Sequence, residues 1–116
     1  MKLLTKELET KLIKAHEAAE AALRKEEETE AIVLGKFFNP CGGATWYLTE
    51  YDPENRVYFA FANLGDYTLA ECGWVGRDEL EALKCPPFGL PIERDLYFKP
   101  VPLAEVIKIV KAGGHV

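Results

Sequence analysis

The sequence predicts an α+β fold: an antiparallel β-meander of four to five strands, packed with an N-terminal helix, a short middle helix and a C-terminal helix. Three observations predict it. From Thr45 to Phe61, two arms rich in β-branched and aromatic residues flank Asp52-Pro53-Glu54-Asn55, the pattern of a hairpin in a largely buried sheet. Apolar residues recur at helical spacing between Leu4 and Leu23, and again between Leu103 and Val110. The strand-like runs follow one another across short turns, which join antiparallel neighbours.

Taken in order, Thr5 is placed to cap the first helix, with Glu7 in its first turn. Leu4, Leu8, Leu12, Ala15, Ala19, Ala22 and Leu23 carry its stripe to about Lys25, and Glu26 to Glu30 read as a fraying end. Ile32 to Phe38 is the first strand. Asn39-Pro40-Cys41-Gly42-Gly43 is a loop that lacks the Walker spacing and its Gly-Lys-Ser/Thr ending. In the hairpin, Asp52 is set opposite Arg56, with Asn55 suited to a positive φ. Tyr47, Thr49 and Tyr51 then share one face with Phe61, Phe59 and Val57. Trp46, Leu48 and Glu50 share the other with Ala62, Ala60 and Tyr58. Both faces are mostly apolar, so cover is expected on each.

Gly65-Asp66 reads as a two-residue turn returning Tyr67 to Trp74 beside the second hairpin arm. Gly76 to Lys84 is a short helix stopped by Pro86-Pro87, and Ile92 to Phe98 a last strand ended by Pro100. Pro102 suits the first position of a closing helix that buries Leu103, Val106, Ile107 and Val110 and stops at Gly113.

Composition narrows the functional classes. A chain of 116 residues, 48% apolar and 28% charged, makes one domain spanning 1–116 with a core of its own. Its 14 basic and 19 acidic residues give a net charge of -5, which argues against general nucleic-acid binding, since that needs a basic face. The N-terminus has no apolar leader, and no run reaches the ~18 apolar residues of a membrane span. Cys41, Cys72 and Cys85 are odd in number and lack C-x-x-C spacing. That fits neither a disulfide framework nor zinc, and places the chain in the cytoplasm with reduced thiols, Cys72 and Cys85 as small core residues. No metal and no cofactor are expected.

Three blocks stand out: Lys36-Phe37-Phe38-Asn39-Pro40, the run from Thr45 to Pro53 (T-W-Y-L-T-E-Y-D-P), and the run from Pro87 to Pro100 that contains I-E-R-D-L-Y-F-K-P. With Leu3-Leu4-Thr5-Lys6-Glu7 ahead of them, they resemble the bacterial domain-of-unknown-function 2958 family over nearly the whole chain. The resemblance implies a small single-domain protein of the kind carried on plasmids, phages and integrative elements, near antirestriction genes. It implies no settled activity and no catalytic residues.

Charged positions inside apolar strands mark where a site could sit. Arg94 alternates with Ile92 and Leu96, so it is expected to be at least half buried and to need a partner. Glu50 or Asp52 is the expected partner, tying the last strand to the hairpin. Its functional counterpart gathers Trp46, Tyr47, Glu50, Asp52, Tyr58, Glu93, Arg94 and Asp95 into a pocket. There the guanidinium would fork an anionic ligand and a ring would stack on it. An enzyme alternative pairs Glu50 with Glu71 or Asp52 as the two carboxylates of a small hydrolase. Cys41 would need a histidine to act as nucleophile. His16 is expected on a helix flank and partly exposed, and His115 mobile. The favoured reading is a non-enzymatic module that binds a host protein or a small anionic ligand, with no membrane association.

Overall fold

The computed structural model describes residues 2–116. Among them, in chain order, lie α1 (Lys6–Arg24), β1 (Ile32–Val33), β2 (Gly35–Phe38), β3 (Ala44–Asp52), β4 (Val57–Leu64), β5 (Glu71–Gly76), α2 (Arg77–Ala82), β6 (Lys84–Cys85), β7 (Leu90–Pro91), β8 (Glu93–Arg94), β9 (Val101–Pro102) and α3 (Leu103–Lys111). The class is α+β, as expected. Thr5 caps α1, its hydroxyl accepting from the Leu8 amide at 3.2 Å, and Glu7 and Glu9 complement the positive end of the helix.

A five-stranded antiparallel sheet runs in the order β5-β4-β3-β2-β8 among the described residues. The β3–β4 hairpin begins in the expected register, from Ala44 opposite Leu64 to Leu48 opposite Ala60. A bulge at Thr49 then shifts it, so that Glu50 faces Phe59, Tyr51 faces Tyr58 and Asp52 faces Val57. The Thr49 hydroxyl donates to the Phe59 carbonyl at 3.3 Å across the bulge. One extra residue turns every later side chain over. Tyr51 therefore joins Leu48 and Tyr58 instead of Tyr47. The turn itself is held by Asp52, whose Oδ1 accepts from the amides of Glu54 and Asn55 and whose Oδ2 accepts from Asn55 Nδ2. Arg56, not Asn55, takes the positive φ, at 55°. Its guanidinium forks Asp78 at 2.7 and 3.1 Å at the start of α2.

The core lies on both faces of the sheet. Trp46 and Tyr47 are consecutive in β3, so their side chains leave opposite faces. Trp46 joins Leu4, Leu12, Phe37, Leu48, Tyr58 and Leu80, which brings in α1 and α2. Tyr47 joins Phe61, Val106 and Val110, which brings in α3.

Four expectations need correction. The first strand divides, because Val33 pairs with Val101 of β9 while Gly35 to Phe38 pair with β3. The turn after Leu64 is longer than two residues: a 3₁₀ turn at Tyr67–Leu69 is capped by Asp66, and β5 starts only at Glu71. The last strand shrinks to Glu93–Arg94, which pair with Phe38 and Phe37 of β2, because the Asp95 carboxylate takes the Tyr97 amide at 2.9 Å and turns the chain away. Leu96 consequently lies exposed. Cys72 is exposed on β5, an edge strand, while Cys85 is buried as expected. All three thiols are free. No described helix is long and apolar enough to cross a membrane.

Candidate ligand-binding site

Arg94 is partly buried, as its alternation required, but its partner differs. Its Nη1 donates to the backbone oxygens of Lys2 and Leu3, at 2.7 and 2.8 Å. The reason is strand order. Arg94 stands opposite Phe37 of β2, and β2 separates β8 from the hairpin carrying Glu50 and Asp52. The expected pocket does not assemble either. Trp46 and Tyr58 belong to one core face and Tyr47 to the other. The Tyr58 hydroxyl is buried without a hydrogen-bond partner among the described residues, and burial pushes its pKa well above the ordinary tyrosine value.

Glu50 and Asp52 gather instead at His16. The imidazole Nδ1 lies 2.8 Å from Glu50 Oε1, and Nε2 lies 3.2 Å from Glu20 Oε1 and 4.0 Å from Asp52 Oδ2. His16 is buried, contrary to the expected flank position. It occupies the same helical stripe as Leu8 and Leu12, and that spacing was the available signal. Burial disfavours the imidazolium, but the bond to Glu50 and the charges of Glu20, Glu50 and Asp52 outweigh it and raise the pKa. Asp52 is held below the usual carboxylate range, chiefly by its bond from the Asn55 side chain.

The hydrolase pairing with Glu71 is broken by the same bulge and the longer turn. Glu71 stands opposite Ala62 rather than Ala60. It lies three positions before Trp74, an odd offset, so the two point to opposite faces of β5. It is Trp74 whose ring meets His16, at 6.0 Å. Cys41 packs against the first core cluster, and neither histidine bonds to it among the described residues. Nor does any described group of three or more His, Cys, Asp and Glu side chains form a metal-holding cluster.

A different charged side chain occupies a cleft. Lys36 is placed by β2 between the Tyr47 ring, 5.9 Å away, and an open cavity of about 570 Å³. Thr45, Glu93, Asp95, Tyr97 and His115 line this cavity, with the Gly42-Gly43 backbone at its rim. Glu93 and Asp95, two of the expected site residues, are thus present, and Arg94 contributes to the wall. The Lys36 residue is only 6% exposed. Its ammonium donates to the Val116 backbone oxygen at 2.7 Å and to His115 Nε2 at 3.1 Å. The latter bond requires an unprotonated Nε2. Asp95 Oδ2, the nearby counter-charge, is 3.8 Å away. Burial lowers the Lys36 pKa, and Asp95 only partly restores it. A second groove of about 420 Å³ runs along β5 over Trp46, Ala60, Ala62 and Gly73, but no cation converges on it.

Fold and site together define an α+β sheet protein with a buried lysine at the floor of an open cleft. Residues 3–116 match the family described as protein of unknown function (DUF2958), and the chain belongs to that family. Neither the curated proteins nor the solved structures contain a match to it.

Proposed function

We propose that this chain is a single-domain, non-enzymatic binding module that takes a small anionic ligand at Lys36, in the cytoplasm of a cell carrying a mobile genetic element. The observation that carries the reading is the ammonium of Lys36: buried, with its nearest side-chain carboxylate 3.8 Å away, beside a cavity of about 570 Å³. A buried cation at the wall of a cavity gains from an incoming anion, because charge-assisted hydrogen bonds are roughly twice as strong as neutral ones. Glu93 and Asp95 restrict entry to anions that also satisfy the carboxylates, for example by presenting a hydroxyl or an amine.

The binding reading is favoured over hydrolysis because the candidate acids are committed elsewhere. Glu50 bonds His16 and Asp52 bonds the hairpin turn. An anti-defence role, by occupying a host component, is the use that the family context suggests for such a module.

Calorimetric titration with inorganic phosphate, for the native chain and Lys36→Met, tests the site. We expect saturable binding by the native chain and at least tenfold weaker binding by the variant, with its melting temperature preserved. Equal affinity in the two proteins, or no binding to either, overturns the assignment of Lys36.

A further inference from the structure

β5 ends the five-stranded sheet: among the described residues it pairs with β4 and with no other strand. One bond shows which of its backbone groups are left over. The Arg77 amide donates to the Arg56 carbonyl at 2.9 Å, on the same register that sets Gly76 opposite Val57. In an antiparallel ladder, bonded pairs alternate with unbonded ones. Val75, Gly73 and Glu71 therefore direct their amides and carbonyls to β4, while those of Cys72, Trp74 and Gly76 turn outward.

The strand is exposed from Glu71 to Trp74, and nothing in its sequence guards the outer edge. It has no Lys or Pro, and its register with β4 runs without a bulge. Those are the devices by which edge strands avoid further pairing. The Trp74 ring packs on Phe59 at 5.0 Å and is still 54% exposed. Beside it lies the groove of about 420 Å³ over Ala60, Ala62 and Gly73.

We propose that β5 pairs antiparallel with β5 of a second copy of this chain, about a two-fold axis at Trp74, joining the two sheets into one. The outward residues select both partner and register. An added antiparallel strand must set outward-facing residues opposite one another, and Cys72, Trp74 and Gly76 are spaced evenly about Trp74. The axis sets Trp74 opposite Trp74 of the second copy, and Cys72 opposite its Gly76. The intervening residues are complementary as well. Gly73 falls opposite Val75, small against large beside the groove, and Glu71 falls opposite Arg77. These are unbonded pairs, whose Cα atoms approach to about 4.5 Å. Arg77 Nε and Nη1 already meet Glu81 and Tyr51, which leaves Nη2 for Glu71 across the axis. Opposite charges set directly across a ladder stabilise it. An axis at Gly73 would put Glu71 against Val75 and the two glycines face to face, with no charge pairing. Pairing through one short strand stands at the small end of specific interfaces, so the association is weak and reversible.

Sedimentation equilibrium of the full chain from about 5 to 500 µM, with amide-resolved hydrogen exchange at both ends of that range, tests the pairing. We expect a monomer–dimer equilibrium. At the higher concentration the Cys72, Trp74 and Gly76 amides should exchange at least twofold more slowly. Those of Glu71, Gly73 and Val75, already bonded to β4, should not change. Gly73→Lys should be monomeric throughout with the native melting temperature. A Cβ at Gly73 meets no heavy atom within 4 Å, so the monomer accommodates the side chain, which then stands where Val75 of the second copy approaches. Glu71→Lys sets like charges across the axis twice in a symmetric dimer and should weaken it about tenfold. A dimer that survives Gly73→Lys, or edge amides whose exchange ignores concentration, overturns the proposal. So does a monomer at every concentration, which would leave the edge to a strand of another protein. Undiminished dimerisation of Glu71→Lys overturns the axis at Trp74.

Discussion

Burial works against a charged imidazole, yet His16 lies within 4.0 Å of carboxylate oxygens from Glu20, Glu50 and Asp52. The surrounding charge prevails, and the folded pKa is raised above the ordinary value of 6.5. A group whose folded pKa is raised contributes stability that is fully present below its unfolded pKa. That contribution is lost as pH rises through the folded value. Melting temperature should therefore decline as pH is taken upward from about 6.5, and His16→Gln should flatten this part of the profile. Thermal melts of both proteins between pH 5.5 and 8.5 check the sign; a native curve that rises across this window contradicts it. Arg94 gives the complementary case. Removing its two donated bonds in Arg94→Met should cost roughly 1–3 kcal/mol, the range for hydrogen bonds from a charged donor. Because its partners are backbone oxygens, an added Glu50→Gln should neither rescue nor aggravate the loss beyond about 0.5 kcal/mol. A larger coupling in the double-mutant cycle would mean that the two side chains do communicate.

At the level of elements, α1 is two helices in energetic terms. Its first half buries Leu12 completely, whereas Leu23 near its end is 78% exposed. Leu12→Ala should cost about 2–5 kcal/mol, and Leu23→Ala less than about 0.5 kcal/mol, as urea melts can measure. The helix was legible because its cap, stripe and acidic tail are all local signals. The hairpin was legible as far as Leu48. Beyond it, nothing in the composition of Thr49-Glu50-Tyr51 distinguishes a bulge from regular pairing, since all three residues suit either face. The last strand failed for a different reason. Ile92 to Phe98 alternates properly, but pairing stops after Arg94: the Asp95 amide still reaches the Lys36 carbonyl at 2.9 Å, and its carboxylate then takes the Tyr97 amide at 2.9 Å and turns the chain away from β2.

Across the whole molecule, the residues that sequence could not bring together are those far apart in it. Lys36 meets His115 and Val116 across 79 and 80 positions, and His16 meets Glu50 across 34. Lys36 sits in an ordinary strand pattern, and its burial follows only once α3 delivers His115 and Val116 to β2. Glu93 and Asp95 were placed at the site by their neighbour Arg94, although the cation they accompany there is Lys36. The three thiols also divide the molecule by accessibility: Cys72 lies open on β5, Cys41 is intermediate and Cys85 is enclosed. Burial raises the pKa of both the Cys72 and the Cys85 thiol, so it is access that protects Cys85 from alkylation relative to Cys72 in the folded state. Cys85 is consequently a built-in clock for the opening of the core. Under a thiol reagent in mild urea, mass spectrometry should show Cys72 modified promptly. Cys85 should be modified only at the rate, or to the extent, that the native state opens. Its labelling half-life should shorten in Leu12→Ala while that of Cys72 stays the same.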